Sequence, residues 1–259
     1  MIVWRQHVRI DSSHGLLAAG THGVSGADRL VRATPSEAYE RHVVRVLNQI
    51  ASSRVGALVV NRLTAIGRPL RIVPRVNLHQ RIAQTPAAVS FDRGANRFAA
   101  GVTGREGEHG ETNTGLVGTG RGARASIIAF SPGARLTSAQ ASVYAEDSAL
   151  VHEMVHSLRA LSGHEDGRGI GTHFHNIEEF SAILVENIYR SSTGRHRIRE
   201  SHRMHDARSF DDRTHAGQES VNDLFRRIYA KPLARFREQE PQLASALATV
   251  TAPFNPLRV

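Results

Sequence analysis

The chain has no cysteine, so it can form neither a disulfide bond nor a thiolate-ligated metal site. A metal in this protein must therefore be bound by His, Asp or Glu side chains. Long apolar runs are also absent, and residues 1–15 lack the apolar core of a signal peptide. From these absences we expect neither Sec-type export nor a membrane anchor.

Lysine is nearly absent, since Lys231 is the only one, yet Lys and Arg together number 33 against 24 Asp and Glu, a formal net charge of +9. A basic chain raises nucleic acid as a partner, but these arginines are scattered and no basic stripe is interleaved with aromatic residues. We expect a solvated basic surface, or the steering of an acidic substrate, rather than nucleic-acid binding.

The most informative feature that is present is the sequence HEMVH at residues 152–156, which fits the H-E-x-x-H signature of zinc metalloproteases. It lies within residues 137–161, which contain no Gly or Pro and have apolar residues at helical spacing. Gly163 is expected to end this helix. On a helix, His152 and His156 lie one turn apart on the same face and can share one Zn²⁺. Glu153 is then placed to take a proton from the water at the metal's open position.

A catalytic zinc site has three protein ligands, so one more ligand must come from outside this helix. The metzincin signature continues with a glycine and a third histidine, but Arg159 and Ser162 stand at those positions. The sequence therefore excludes the metzincin class.

A second helix, predicted from residue 176 to about residue 190, offers two carboxylates near its start. Glu179 follows His156 by 23 residues and shares a helical face with Glu186, so we select Glu179 as the third ligand. Glu178 points about a quarter turn away, where it and Glu186 are expected to hold the ligand histidines in orientation.

Other interpretations of these residues stay open. A loop that folds back would bring a histidine to the metal instead of Glu179, the candidates being His164, His173 and His175. Glu178 and Glu179 could also be solvated glutamates that the helix dipole stabilises. His152 and His156 could be ordinary polar residues of a half-buried helix.

These motifs resemble the NleD-like effector zinc metalloproteases, glutamate zincins that bacteria inject into other cells. The resemblance covers roughly residues 36–205 and is strongest over 150–202. It is carried by the H-E-x-x-H helix, the Glu178-Glu179 pair, the Glu186-Asn187 pair and a Gly-Arg segment that a basic residue follows. The resemblance implies a zincin-like fold and cleavage of a specific protein in a target cell, a signalling kinase being the known class of substrate. It also implies a secretion apparatus or its chaperone as partner, and delivery into the target-cell cytoplasm.

The same family tends to have an R-x-x-Y element whose Arg and Tyr stabilise the oxyanion. The sequence RESH stands at the corresponding residues, 199–202, so His replaces Tyr. The resemblance therefore implies that Arg199 and His202 bind the oxyanion, and Tyr189 is the nearest tyrosine that could substitute.

The predicted fold class is α+β, mostly helical, with a small and mostly antiparallel sheet above the active-site helix. Further helices are predicted over residues 34–53, 56–66, 219–230 and 232–247, the first opened by a capping box at residues 34–37 and the last split at Pro241. Strands are predicted over residues 70–74, 87–91 and 125–130, and the glycine-rich residues 101–122 are expected to form a mobile loop.

We expect residues 1–33 to form a partly flexible N-terminal extension, residues 34–205 the zinc metalloprotease domain, and residues 206–259 a helical C-terminal extension packed on that domain. The protein is expected to be a monomer. Two other functions are compatible with the motifs: a zinc hydrolase of another amide, such as peptidoglycan, and a non-catalytic interaction module that zinc stabilises.

Overall fold

The computed structural model describes residues 1–17, 29–32, 35–76, 125–130, 145–170, 174, 176–199, 207–209 and 220–258. Within these residues the fold is mixed α/β, with seven helices and a small mixed sheet. The helices are α1 (Glu37–Ser52), α2 (Arg54–Ile66), α3 (Glu146–Ser162), α4 (Ile177–Ser192), α5 (Val221–Ile228), α6 (Ala230–Gln239) and α7 (Pro241–Ala248). The strands are β1 (Ile2–Arg5), β2 (Val8–Ile10), β3 (His14–Leu17), β4 (Arg29–Arg32), β5 (Leu70–Val73), β6 (Arg75–Val76), β7 (Ser126–Ala129), β8 (Arg197–Arg199) and β9 (Ala207–Ser209).

The main sheet has four strands in the order β1-β2-β5-β7. β1 and β2 are antiparallel, whereas β2, β5 and β7 are parallel, with Ile10 opposite Ile72 and Ile72 opposite Ile128. The prediction of a mostly antiparallel sheet is therefore wrong for this sheet. Parallel strands need a long crossover connection, and α1 and α2 form it between β2 and β5. Two smaller sheets have the strand orders β4-β3-β6 and β8-β9.

The two crossover helices meet at a sharp bend. Ser36 caps α1 by accepting a hydrogen bond from the Tyr39 amide, so the cap lies two residues later than the predicted capping box placed it. Ser53 caps α2 by accepting from the Gly56 amide, and the two helices meet at 109°. By length and hydropathy, only this bent pair together, and no single helix among the described residues, reaches the threshold for a membrane span.

Glycine is required at position 56 because the two helices approach each other so closely there. A Cβ on Gly56 would lie 2.0 Å from the Ile50 carbonyl oxygen, which is well inside van der Waals contact. This approach brings the end of α1 and the start of α2 into contact, and both helices contribute buried residues to the core.

One hydrophobic core runs through the described residues, with α3 and α4 at its centre. The N-terminal strands contribute Val8 and Ile10 to it. The C-terminal helices contribute Phe225 of α5 and Phe236 of α6, and in addition α6 packs on α4 and α7 packs on α2. Described parts of both predicted extensions thus share the core of the predicted metalloprotease domain.

Several predicted boundaries are confirmed. α3 ends at Ser162, and Gly163 adopts a left-handed conformation with φ of 77°. α6 ends at Gln239 and α7 begins at Pro241, as predicted from the proline. The predicted strand over residues 87–91, the glycine-rich residues 101–122 and the predicted helical residues 137–144 lie outside the described residues.

Candidate metal centre

The candidate centre lies between α3 and α4, which pack against each other. Every residue of α3 is buried except Glu146, Glu153 and Ser162, so the helix runs through the protein interior. Asn176 caps the start of α4, and its side chain accepts a hydrogen bond from the Glu179 amide at 2.8 Å. This cap fixes the first turn of α4, and with it Glu179, opposite the two histidines of α3.

Three potential metal ligands converge here: His152, His156 and Glu179. The two histidine Nε2 atoms lie 3.1 Å apart, and the Glu179 carboxylate oxygens lie 3.5 Å from Nε2 of His152 and 3.7 Å from Nε2 of His156. A tetrahedral zinc with bonds of about 2.0–2.1 Å separates its ligand atoms by about 3.3–3.4 Å. The three donors thus have the spacing of one face of such a site, and the buried cluster could bind a metal ion.

The opposite edge of each imidazole faces a second carboxylate. Nδ1 of His156 lies 3.1 Å from Glu178, and Nδ1 of His152 lies 3.2 Å from Glu186. A carboxylate that accepts the Nδ1 proton leaves the Nε2 lone pair for a metal and fixes the ring's orientation. The structure places both glutamates where the sequence led us to expect orienting groups.

Buried arginines neutralise these two carboxylates. Arg159 donates to Glu178 at 2.8 Å through Nε, and Arg199 donates to Glu186 at 2.6 Å. Arg190 lies 3.4 Å from the other oxygen of Glu186. Because an unpaired charge in the interior is very costly, each buried arginine and its glutamate depend on each other.

This packing shifts the pKa values of the carboxylates. Burial alone raises the pKa of Glu186, but Arg199 and His152 outweigh burial and lower it to about 2. Burial likewise raises the pKa of Glu178, and Arg159 and His156 more than offset it, so that this pKa is lowered. Both glutamates are therefore anionic at neutral pH, and each can accept a hydrogen bond from an imidazole N–H.

The pKa values of the histidines move the other way. Burial lowers the pKa of His152, but hydrogen bonds to Glu179 and Glu186 outweigh it, and the net shift is upward. For His156 the burial effect is exceeded by the charge of Glu179 and the bond to Glu178, which hold its pKa well above the ordinary value. The pocket is thus strongly favourable to positive charge at the histidine pair.

Glu153 differs from the rest of its motif. It is half-buried, whereas both flanking residues and both histidines are buried. Its carboxylate oxygen Oε2 is nevertheless shielded from solvent, so the group lies at the edge of the buried cluster beside His152.

Arg199 lies near the Nδ1 edge of His152, not near the Nε2 edge that faces Glu179. Its guanidinium binds Glu186, which contacts the Nδ1 edge of the ring. Asn187 holds this arrangement, since its side-chain amide accepts from the Arg199 amide and donates to the Arg199 carbonyl, both at 2.7 Å. The placement favours an orienting role for Arg199 over oxyanion binding, and His202 lies outside the described residues.

Tyr189 is also held elsewhere. Its hydroxyl donates to Asp147 at 2.6 Å, and Asp147 is paired with Arg195 at 2.6 Å. A cavity of about 540 Å³ lies beside them, lined also by Gln49 and Arg54, and none of the three potential ligands lines it.

The alternative third ligands are not brought to the centre by any described contact. His164 binds Glu240 through Nδ1 at 2.8 Å, at the end of α6. His173 and His175 lie outside the described residues.

Sequence reasoning missed Arg159, Asp166 and Gln239 as parts of the site. Arg159 follows His156 by three residues and so shares its helical face, a signal that the sequence carried. Asp166 and Gln239 carried no such signal, because their contacts depend on how the loop after α3 meets α6.

In comparisons with protein-family models, curated proteins and solved structures, nothing matches this chain. Inferences about its function therefore rest on its own residues and their geometry.

Proposed function

We propose that the chain is a zinc-dependent endopeptidase whose metal is bound by His152, His156 and Glu179. The observation that carries the proposal is the triangle of two Nε2 atoms and one carboxylate at 3.1, 3.5 and 3.7 Å. Two histidine nitrogens and one carboxylate oxygen form one of the donor sets of catalytic zinc sites, whereas structural zinc sites have four protein ligands. Among the described residues only these three converge, which leaves a position for water.

Zinc bound there would lower the pKa of a water molecule and polarise the scissile carbonyl. The Glu153 carboxylate takes the proton of the attacking water and delivers it to the leaving amine nitrogen as the C–N bond breaks. Glu178 and Glu186 accept the Nδ1 protons of the histidines throughout and keep both rings in place. Arg199 keeps Glu186 anionic, and oxyanion binding by His202 stays a prediction.

The substrate would bind along β7, which among the described residues is the last strand in the order of the main sheet. The Ser126 hydroxyl donates to the Ser157 hydroxyl at 2.8 Å, and this bond ties β7 to the helix that carries both histidines. An extended peptide that pairs with a sheet edge gains backbone hydrogen bonds and is held at a fixed distance from the site.

The fold class that we propose is zincin-like, with membership of the NleD-like effector proteases. The spacing of the H-E-x-x-H and Glu178-Glu179 motifs and their meeting in the structure support this assignment. It carries with it the role of a secreted effector or toxin that passes through a secretion apparatus and cleaves a protein inside a target cell.

The test is a search for new protein N termini. Zinc-loaded protein is incubated with eukaryotic and with bacterial lysates, and the new termini are identified by mass spectrometry. We expect a small set of cleavages that a chelator abolishes and added zinc restores. Glu153→Gln should keep its metal and lose about 10²- to 10⁴-fold in rate.

Glu146→Gln is the matched control, since Glu146 is another glutamate of α3 that is not buried, and it should cleave normally. A Glu153→Gln protein that cleaves at the normal rate contradicts the proton-transfer role. Release of peptides from purified cell wall without protein cleavage would instead establish a peptidoglycan hydrolase.

One observation favours a second candidate, a non-catalytic interaction module that a metal stabilises. The side chains of His152, His156 and Glu179 are only 0, 1 and 10% exposed. In that case removal of the metal should unfold the protein, and Glu153→Gln should behave as the wild type in every assay.

A further inference from the structure

The C-terminal helices contact the metal centre through two neighbouring residues at the end of α6. Gln239 accepts a hydrogen bond from the Arg159 guanidinium at 2.8 Å and donates one to Asp166 at 2.9 Å. Glu240 binds His164 at 2.8 Å, and the backbone carbonyl of His164 accepts from Arg159 at 2.7 Å. Both contacts therefore end on the same arginine.

Arg159 and the loop after α3 then act together on one carboxylate oxygen. Nε of Arg159 and the backbone amide of Asp166 both donate to Oε2 of Glu178, at 2.8 and 3.2 Å. The other oxygen of Glu178 is left for Nδ1 of His156, 3.1 Å away. A carboxylate that is held on one oxygen by two donors has little freedom to rotate away from the histidine.

Arg159 cannot hold this position unaided, because a buried guanidinium has five donors and costs free energy when they lack acceptors. Two of the acceptors that orient it are the His164 carbonyl and Gln239, and Gln239 comes from a helix 80 residues further along the chain. Asp166 fixes the other end of the Gln239 amide and also binds Arg235 of α6.

We propose that Gln239 is a positioning residue of the metal centre, which acts on His156 through Arg159 and Glu178. The C-terminal segment is then part of the site, and residues 34–205 alone do not complete it. This inference rests on the metal centre of the proposed function and adds to it a requirement for α6.

The chain offers a matched control. Gln242 of α7 accepts from Arg62 of α2 at 2.8 Å, an exposed bond between a C-terminal helix and an earlier helix. That bond leads to none of the groups around the histidines. Gln239→Met and Gln242→Met each remove one glutamine's hydrogen bonds while keeping an unbranched side chain of similar length.

The experiment measures the zinc dissociation constant of the full-length protein by competition with a chromophoric chelator. Because the loss of a group that orients a metal ligand weakens binding by about 10- to 100-fold, we expect about tenfold for Gln239→Met, which acts on the orienting Glu178 through Arg159. Gln242→Met should bind as the wild type does. The visible spectrum of the Co²⁺-loaded protein should change with Gln239→Met alone, since it reports the ligand field and not general stability.

Combination with Glu178→Gln separates positioning from general loosening. If Gln239 acts through Glu178, Gln239→Met should weaken zinc binding little further in the Glu178→Gln background. Additive losses, an equal loss in Gln242→Met, or unchanged binding in Gln239→Met would each overturn the inference. A wild-type protein that binds no zinc would overturn the metal centre itself, and the inference with it.

Discussion

Each histidine of the centre is held between two carboxylates of different kinds. Its Nε2 faces Glu179, and its Nδ1 faces a glutamate that an arginine binds, Glu178 for His156 and Glu186 for His152. The arginines keep the outer glutamates anionic, so a neutral imidazole would direct its Nδ1–H toward its glutamate and its Nε2 lone pair toward Glu179. The packing of the described residues therefore fixes the orientation in which these groups could bind a metal ion.

The role of Arg199 can be measured directly. Arg199→Lys keeps a positive charge near Glu186 but loses the planar guanidinium, so Glu186 should orient His152 less well. We expect zinc affinity to fall by about tenfold or more. If Arg199 instead binds the oxyanion, Arg199→Lys should lower kcat while zinc affinity in the chelator assay stays unchanged.

Asp166 predicts a dependence of stability on pH. Burial alone raises its pKa, but bonds from Arg168, Arg235 and Gln239 lower it to about 2, from an ordinary value of 3.8. A carboxylate with a depressed pKa in the folded state stabilises the protein above its ordinary pKa, and this contribution is lost as pH falls toward 2.

Asp166→Asn should therefore lower the free energy of unfolding at neutral pH, and its difference from the wild type should shrink between about pH 4 and pH 2. Urea unfolding of the metal-free protein at a series of pH values measures this. Asp223→Asn is the control, because Asp223 also has a lowered pKa but is exposed and screened by water. A difference for Asp166→Asn that is constant across this pH range would contradict the assignment.

At the scale of residues, the spacing of the glutamates along one predicted helix led us to select Glu179 as a candidate ligand and Glu178 and Glu186 as candidate orienting groups. All three follow from helical periodicity within one segment. The partners of Arg159 could not be predicted, because a guanidinium finds its acceptors in space, and Gln239 lies 80 residues away in the sequence.

At the scale of elements, the α1–α2 bend determines how the crossover reaches β5. The bend depends on close contact between Gly56 and the Ile50 carbonyl. We expect Gly56→Ala to cost about 3 kcal/mol of unfolding free energy, since overpacking of this kind forces the backbone to move.

Gly194 provides the comparison for this substitution. It has φ of 81° but nothing within 4 Å of an added Cβ, so Gly194→Ala should cost only the conformational penalty, about 1 kcal/mol. Equal losses for the two variants in chemical denaturation would show that the helix contact is not tight.

The sequence predicted most helix ends, because caps and breakers such as Gly163 and Pro241 act locally. Sheet topology was not predictable in the same way. Apolar strands look alike whichever neighbour they pair with, and the parallel arrangement of β2, β5 and β7 depends on long-range pairing that no local pattern encodes.

At the scale of the whole molecule, a metal would join two helices that the sequence separates. His152 and His156 lie on α3 and Glu179 on α4, and these helices form the centre of the core. Binding that requires the folded arrangement stabilises it by mass action. The melting temperature should therefore depend on zinc.

With free zinc 1,000-fold above the dissociation constant, the stabilisation should be about 4 kcal/mol. Thermal melts monitored by circular dichroism, with zinc and with a chelator, test this. The Glu179→Gln protein, which keeps the shape of the side chain but lacks its charge, should show a much smaller zinc-dependent shift. A shift as large as that of the wild type would remove Glu179 from the ligand set.

The central claim is that His152, His156 and Glu179 bind one zinc ion, and metal content tests it most directly. The wild-type protein, Glu179→Ala and the control Glu37→Ala, which changes an exposed glutamate of α1, are purified under metal-replete conditions and measured by elemental analysis. The account predicts one zinc per chain in the wild type and in Glu37→Ala, and far less in Glu179→Ala. A wild-type protein without zinc, or a Glu179→Ala protein with a full equivalent, would contradict it.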